Sequence, residues 1–351
     1  MNKFTTKWTA ILLLVAAFAI TMINACRKKD SESPHRTTPL SFTVPKGFPA
    51  QHYQFNNNPL TQEAFDLGKK LFYDGRLSKD GNFPCGSCHQ QSAAFATFDH
   101  DLSHGFNNQF TTRNAPGLFN MAWHKEMHWD GGINHIEVQP LAPITAPNEM
   151  AEDINNIIKK LQGDAKYRQM FKAAYGDETI NSQRMLLSLT QFVSLMVSGD
   201  SKYDRVKAGK ATFNINEENG YKIFQAKCAS CHKEPLFTDF SYRNTGLKLN
   251  ASLKDLGRMR ITNRREDSLK FKVPSLRNLF QTFPYGHDGR FTSINHVLEH
   301  YSTGIQDSPT VDSLLKNKIP LTANEKFFLI QFFGALTDST FINDKRFAES
   351  R

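Results

Sequence analysis

Cys85-Gly86-Ser87-Cys88-His89 is the stretch that decides the fold of this 351-residue chain. Its two thiols can each bond to one vinyl group of a single haem, and the histidine that follows is then placed against the iron. A second copy, Cys228-Ala229-Ser230-Cys231-His232, lies in the second half of the chain. The repeated spacing therefore predicts two covalently attached c-type haems, with His89 and His232 as iron ligands.

Two other kinds of site also use paired cysteines. A zinc site built from both pairs would explain the thiols, but not the histidine after each pair. A thioredoxin-like motif requires a βαβ context, and strand alternation is scarce in this chain. Four of the five cysteines are taken by the two predicted haems, which leaves no disulfide framework, and the fifth, Cys26, lies at the end of a targeting segment.

The start of the chain has the pattern of an export and tethering segment. A positively charged beginning precedes an apolar run, Ala10–Ile20, that is too short to span a bilayer. Small Ala25 then precedes Cys26, as in a bacterial lipobox. We expect residues 1–25 to be a signal peptide and residues 26–40 to be a tether lipidated at Cys26. The mature chain would then be a periplasmic, membrane-anchored lipoprotein; an ordinary signal peptide with an incidental cysteine is the alternative.

The charge of the chain does not indicate a nucleic-acid-binding protein. The formal net charge is +9 at pH 7, and the propionates of two haems would offset part of it. No concentrated basic stretch carries aromatic residues on one face. No nucleic-acid partner is therefore expected.

The spacing of apolar residues predicts helices around both haem motifs. The predicted helices cover residues 61–72, 148–161, 165–175, 182–197, 217–227, 293–301 and 322–333. The order helix, C-x-x-C-H, loop and helix occurs twice, which suggests a duplication. The sequence thus predicts an all-α protein of two cytochrome-c-like haem domains with long irregular loops. Their expected bounds are residues 41–203 and 204–351.

The chain resembles the bacterial dihaem cytochrome c peroxidases, and among them the MauG-like branch. The resemblance extends from about Leu67 to Tyr301. Besides both haem motifs, it is carried by Leu67–Phe72, Arg113–Pro116, Trp129–Gly131, Lys272–Asn278 and Pro284–Gly289. In that family the N-terminal haem reacts with peroxide, and the C-terminal haem receives electrons and passes them across.

The resemblance assigns roles to three residues that follow the first haem motif. Glu149 matches the acid/base that moves a proton between the two oxygens of peroxide. Gln139 matches the amide that orients peroxide or water, and Trp129 matches the electron relay between the haems. From the residues alone, Glu149 would be an acidic residue in the first turn of a helix, Gln139 a loop amide and Trp129 a packed aromatic.

The resemblance also implies further metal ligands. His104 is nearest to the removable histidine of the first haem, in a loop longer than the family's; a solvated loop histidine is the alternative. Tyr301 stands where many members have a methionine ligand and where the MauG-like branch has tyrosine. A core-facing aromatic is the alternative for Tyr301. The positions that surround a calcium ion in the family correspond to Asn114, Thr282 and Pro284.

The expected function is reduction of hydrogen peroxide to water with electrons from a small periplasmic redox protein such as a cytochrome c. Because phenolate favours oxidised iron, Tyr301 argues against a high-potential second haem. One alternative is a MauG-like oxidase of a protein or organic substrate. Another is a dihaem electron carrier without catalysis, against which Glu149 and Gln139 argue. The sequence leaves the oligomeric state open, although a homodimer is usual in the resembled family.

Overall fold

The computed structural model describes residues 35–349. Residues 37–349 belong to one compact unit. The predicted signal peptide, the lipidation site Cys26 and most of the predicted tether lie outside the described residues. Within the described part of the chain, no helix is both long and apolar enough to cross a membrane.

The protein is helix-rich, as the sequence predicts. The helices are α1 (Gln62–Phe72), α2 (Cys85–Cys88), α3 (Leu141–Thr145), α4 (Ile154–Gln162), α5 (Ala165–Tyr175), α6 (Ser182–Ser194), α7 (Lys202–Lys207), α8 (Ile215–Lys227), α9 (Met259–Thr262), α10 (Ile294–Glu299), α11 (Ala323–Gly334) and α12 (Ser339–Ile342). A π-helical turn, His300–Gly304, continues α10. Two short strands, β1 (Tyr242–Arg243) and β2 (Phe271–Lys272), pair antiparallel.

Local sequence explains where several helices begin and end. The Thr61 side chain accepts a hydrogen bond from the Ala64 amide and so caps α1. Thr322 and Glu325 form a capping box at the start of α11. Gly176 ends α5 with a left-handed φ of 90°. These boundaries match the predicted ones.

The helix predicted to open at residues 148–150 begins later, so that prediction is wrong. Helix α4 starts at Ile154, because the Asp153 side chain accepts hydrogen bonds from the first free amides. Ala151 has a left-handed φ of 53°, which interrupts helical geometry just before that cap. Glu149 therefore lies in a turn, and the interpretation of it as a first-turn helix residue does not hold.

Two large apolar clusters fill the interior of the described chain. The first contains the side chains that α1, α5 and α6 bury, among them Phe72, Phe171 and Phe192. The second contains those that α8 and α11 bury, among them Phe224 and Phe332. Cys85 of the first haem motif packs against the first cluster, and Cys228 of the second motif packs against the second.

A glycine allows the two main helices of each cluster to approach closely. On Gly68 of α1, a Cβ would lie 2.0 Å from the Ser188 carbonyl oxygen of α6. On Gly220 of α8, a Cβ would lie 2.0 Å from the Phe328 carbonyl oxygen of α11. A side chain at either position would force the helices apart. A close contact between a helix glycine and a carbonyl oxygen of the neighbouring helix thus occurs in both clusters.

The C-terminal tail packs against the first cluster rather than the second. Phe341 and Phe347 belong to the first cluster. The Tyr73 hydroxyl donates to the Phe347 carbonyl at 2.7 Å, and the Gln91 amide donates to the Asp344 carbonyl at 2.8 Å. The end of the chain therefore completes the core that its beginning builds.

Candidate functional site

The first haem motif forms one helical turn that ends at its histidine. Helix α2 covers Cys85–Cys88, and His89 is its C-cap. In the second motif Cys228 is instead the C-cap of the long helix α8. All four motif cysteines are free thiols. Each pair is therefore available for covalent attachment.

A backbone carbonyl orients the histidine of each motif. His89 Nδ1 lies 2.8 Å from the Phe95 carbonyl oxygen. His232 Nδ1 lies 3.1 Å from the carbonyl oxygens of both Phe237 and Pro274. Because a carbonyl can only accept, the proton is on Nδ1, and Nε2 keeps its lone pair for a metal. Burial lowers the pKa of both histidines, which favours the neutral, metal-binding form.

The carbonyls that orient the two histidines come from phenylalanines with unusual backbone conformations. Phe95 has φ 59° and Phe237 has φ 55°. This left-handed region is unfavourable for a bulky residue unless the surroundings enforce it. Both rings are completely buried, at 0% exposure. Packing of the two rings therefore holds the strained turns that present the carbonyls.

The described residues fit two haem groups. Each motif offers two free thiols and one imidazole whose Nε2 has no protein partner within residues 35–349. Two thioether bonds and one imidazole nitrogen are the attachment set of a c-type haem.

Glu149 lies beside the first motif. Burial raises the pKa of the Cys88 thiol, and the nearby Glu149 carboxylate raises it further. Burial also raises the pKa of Glu149 itself. No side chain or backbone group of the described chain hydrogen-bonds to its carboxylate. A partly buried carboxyl group with a raised pKa and no hydrogen-bond partner can take up and return a proton, as an acid/base requires.

The loop that carries His104 packs against the backbone of Glu149. The Phe106 amide donates to the Glu149 carbonyl at 2.7 Å, and a Cβ on Gly105 would lie 2.7 Å from Glu149 Cα. His104 Nδ1 lies 2.6 Å from Asn108 Oδ1, so the histidine donates there, and its Nε2 has no hydrogen-bond partner among the described residues. The structure therefore brings the predicted His104 and Glu149 into one region.

Gln139 and Trp129 have defined partners. Gln139 Nε2 lies 3.4 Å from His128 Nε2, which is a long hydrogen bond. Trp129 Nε1 donates to the Asn114 carbonyl at 2.9 Å. His128 was not among the predicted site residues, and its position next to Trp129 is the only sequence signal that could have indicated it.

Asn114 joins the segment that carries the other two predicted calcium ligands. Its amide donates to the His287 carbonyl at 2.9 Å, close in sequence to Thr282 and Pro284. Its side-chain nitrogen donates to the Asp101 carbonyl at 3.0 Å, and its Oδ1 accepts no hydrogen bond from residues 35–349. Residues 35–349 contain no cluster of three or more His, Cys, Asp or Glu suited to a metal. A cation here would depend on neutral oxygen ligands, which calcium accepts.

Tyr301 lies at the second motif. It is part of the π-helical turn that follows α10, a local irregularity often found at functional sites. Burial raises the pKa of its hydroxyl, and the nearby thiols of Cys228 and Cys231 raise it further. In the described part of the chain, no group hydrogen-bonds to this hydroxyl. Its oxygen is therefore close to the motif and available as a ligand.

Comparison with known proteins identifies the family. Residues 62–212 match the family model described as di-haem cytochrome c peroxidase. A methylamine utilization protein MauG from Methylorubrum extorquens is 33% identical over 80% of this chain and 79% of its own length. A cytochrome c551 peroxidase from Nitrosomonas europaea is 33% identical over 69% of this chain and 73% of its own length. This chain belongs to the di-haem cytochrome c peroxidase family.

Solved structures of related proteins share the fold of this di-haem peroxidase. A MauG-like protein associated with microbial copper homeostasis is 31% identical, covers 88% of this chain and 99% of its own, and superposes with a TM-score of 0.82. The diheme peroxidase BthA from Burkholderia thailandensis covers 83% of this chain and 90% of its own, with 20% identity and a TM-score of 0.70. Family membership makes the chain a haem-dependent peroxidase with two haem groups. The predicted family and enzyme class are confirmed.

Proposed function

We propose that this chain is a c-type di-haem peroxidase that reduces hydrogen peroxide at its first haem, using electrons from a small periplasmic redox protein such as a cytochrome c. The observation that carries the proposal is the partly buried carboxyl group of Glu149 beside the first haem motif, which has no hydrogen-bond partner within residues 35–349. The attachment and iron-ligating residues would be Cys85, Cys88, His89, Cys228, Cys231 and His232.

The protein's own contribution to the reaction is proton transfer and orientation. Bound haem would supply the iron that takes up peroxide and exchanges electrons. The Glu149 carboxylate accepts the proton of the inner peroxide oxygen and returns it to the outer oxygen, which leaves as water. The Gln139 amide, in contact with His128, orients peroxide or water. With two electrons and two further protons, one hydrogen peroxide becomes two water molecules.

His104 is proposed as the removable ligand of the first haem iron in the resting enzyme. Its free Nε2 and the contact of its loop with Glu149 support this role. Movement of the loop would then expose the iron and the carboxylate together. Replacing His104 with glycine should convert a low-spin first haem to high-spin in the EPR spectrum of the oxidised enzyme. An unchanged spectrum would mean that His104 is not a ligand.

The electron path is proposed to run from the second haem through Trp129 to the first. The hydrogen bond from Trp129 to the Asn114 carbonyl fixes the indole, which a relay requires. A calcium ion held by Asn114, Thr282 and Pro284 would rigidify this region. The two apolar clusters support two cytochrome-c-like domains over residues 41–203 and 204–351, with the C-terminal tail packed on the first.

Tyr301 is proposed as the second iron ligand opposite His232, and it favours a second candidate function. Phenolate stabilises oxidised iron, which makes the second haem a poorer acceptor of electrons from a cytochrome. Peroxide-driven oxidation of a protein or organic substrate, as in MauG-like enzymes, is therefore the second candidate. Comparing peroxide-dependent oxidation of reduced cytochrome c with that of organic donors distinguishes the two functions.

Export, lipidation at Cys26 and homodimer formation are also part of the proposal. The sequence pattern around Ala25 supports the first two, and the family supports the third. Mass spectrometry of the mature N-terminus would detect a lipidated cysteine. Light scattering of the haem-loaded protein would give its oligomeric state.

Substitution of Glu149 tests the proposed mechanism. Glu149→Gln keeps the size of the side chain but removes its basicity, so peroxide turnover should fall by about 100-fold or more. Both haems should remain attached, as judged by the pyridine haemochrome spectrum. The matched control is Glu178→Gln, because the side chain of Glu178 is 52% exposed. Unchanged turnover in Glu149→Gln would remove Glu149 from the mechanism.

A further inference from the structure

Lys272 is a buried cation that forms no ion pair with a carboxylate of residues 35–349. The residue is 7% exposed, and its ammonium group donates to the backbone carbonyl of Glu126. The acids nearby are already paired. The Glu126 carboxylate lies 3.2 Å from Arg258, and the Asp130 carboxylate lies 2.7 Å from Arg113. Burial lowers the pKa of Lys272 to about 8. A buried ammonium held by one neutral oxygen is unfavourable unless a further negative group compensates it.

A second buried nitrogen, in the side chain of His124, lies near Lys272. His124 Nδ1 is buried and has no hydrogen-bond partner in the described part of the chain. Its ring packs edge-on against Phe240, with the ring centroids 4.7 Å apart. Burial lowers the pKa of His124, and the charge of nearby Lys272 lowers it further. Buried polar atoms in folded proteins nearly always form a hydrogen bond, so we expect His124 Nδ1 to donate to a bound acceptor.

Lys272 lies on a backbone segment that connects Trp129 to the second haem motif, and His124 is close enough to Lys272 for its charge to lower the pKa of the imidazole. The Lys272 amide donates to the Trp129 carbonyl at 2.7 Å. Two residues later, the Pro274 carbonyl accepts from His232 Nδ1 at 3.1 Å. A ligand bound by Lys272 and His124 would therefore lie beside Trp129 and near the segment that orients His232.

We propose that Lys272 and His124 bind a carboxylate, and that this carboxylate is a haem propionate. The Lys272 ammonium and the His124 Nδ1–H both donate to its oxygens, which satisfies both buried groups at once. A positive charge beside a propionate disfavours oxidation of the iron, so Lys272 raises the reduction potential of the haem it binds. This inference rests on the proposed attachment of haem at both motifs.

The first experiment compares reduction potentials in the haem-loaded, full-length protein. Lys272→Met removes the charge at similar volume and should lower the potential of one haem, whereas Lys272→Arg should keep it near the wild-type value. The haem that shifts identifies which propionate is bound. The matched control is Lys270→Met, because Lys270 pairs with Asp267 at 3.0 Å and its side chain is 27% exposed. Spectroelectrochemical titration of both haems gives the potentials.

A second measurement does not depend on the potentials. The resonance Raman bending modes of haem propionates report the hydrogen bonds of these carboxylates, and His124→Phe should shift the same haem's mode as Lys272→Met. Haem content is measured first, and a protein without covalent haem would overturn the proposed attachment instead. If Lys272→Met and His124→Phe keep both haems and leave potentials and propionate modes as in wild type, the propionate site is wrong.

Discussion

The two haem motifs use the same means of orienting their histidine but differ in the other side chains near them. At both, a buried phenylalanine in a left-handed conformation presents its carbonyl to the histidine, from Phe95 at the first and Phe237 at the second. Near the first motif lies a carboxylic acid, Glu149, and near the second lies a phenol, Tyr301. The backbone contact that orients the histidine is thus the same at both sites, while the oxygen-bearing side chain beside each motif differs in chemistry.

The carboxyl group of Glu149 and the hydroxyl group of Tyr301 are both partly buried, but their chemistry suits them to different roles. Neither the Glu149 carboxyl group nor the Tyr301 hydroxyl has a hydrogen-bond partner within residues 35–349, and burial raises the pKa of both groups. A carboxyl group with a raised pKa exchanges a proton near neutral pH more readily than an ordinary one. A phenol holds its proton far more firmly, and gives it up when it binds a metal. The same burial therefore suits one residue to proton transfer and the other to iron ligation.

The largest expected effect comes from removing either motif histidine. His89→Gly should abolish the reaction with peroxide, because the first iron loses its protein ligand. His232→Gly should still allow the reduced protein to react once with peroxide. It should abolish steady-state turnover, because the second haem can no longer pass electrons to the first. Stopped-flow and steady-state assays on haem-loaded variants measure both. Equal loss of the single reaction in the two variants would contradict different roles for the two haems.

Replacing Tyr301 with methionine should raise the reduction potential of the second haem, so that this haem accepts electrons more readily. Axial ligands set haem potentials over a range of about 0.8 V, and we expect Tyr301→Met to raise the second potential by about 0.1 V or more. The first potential should stay close to wild type. Spectroelectrochemistry measures both potentials, with Tyr285→Phe as a control, because Tyr285 is a partly buried tyrosine that packs against the second cluster. A second potential that does not move would show that Tyr301 is not a ligand.

The repeated glycine contacts predict similar stability losses in the two halves. Gly68→Ala and Gly220→Ala each place a Cβ about as close to a carbonyl oxygen, so each should destabilise by about 1–3 kcal/mol. Gly209→Ala is the control for the close contact, because no atom of the described chain lies within 4 Å of a Cβ at this position. Its φ of +74° adds some backbone strain. Chemical denaturation of the haem-loaded proteins measures the losses. A large loss at only one of the two helix crossings would weaken the case for duplicated domains.

The smallest expected effect is the destabilisation of the folded protein by the ionised carboxylate of Glu149. Its folded-state pKa is raised, so the native protein loses stability as pH rises through that pKa. Glu149→Gln should therefore raise the melting temperature at pH 7 by about 1–2 °C, and this gain should vanish below the ordinary carboxyl pKa. Catalysis has the opposite dependence, because the base must be ionised: wild-type turnover should fall as pH drops through the raised pKa. Melting and turnover curves across pH test both signs.

Much of the fold was predictable because short-range signals determine it. The cap at Thr61, the stop at Gly176 and the capping box at Thr322 each act within one helical turn, so the sequence alone indicates them. The start of α4 was mispredicted because apolar spacing continues back to Met150, whereas the cap at Asp153 decides where the helix begins. Periodicity cannot reveal a backbone turn such as the one at Ala151.

The haem motifs were predictable, but their surroundings were not. Cys-x-x-Cys-His is a contiguous signal, whereas the contact of His232 with the Pro274 carbonyl joins distant parts of the chain. The pairing of Gln139 with His128 and the proximity of Lys272 to His124 likewise depend on tertiary packing. Long-range contacts of this kind leave no pattern in a single sequence.

The packing of the C-terminal segment has a consequence for the order in which the protein folds. Phe341 and Phe347 fill the interior beside α1, although they are distant from that helix in sequence. The first core therefore reaches its final packing only after residues 341–347 have docked onto it. Removing residues 340–349 should accordingly harm maturation of the first haem site more than of the second.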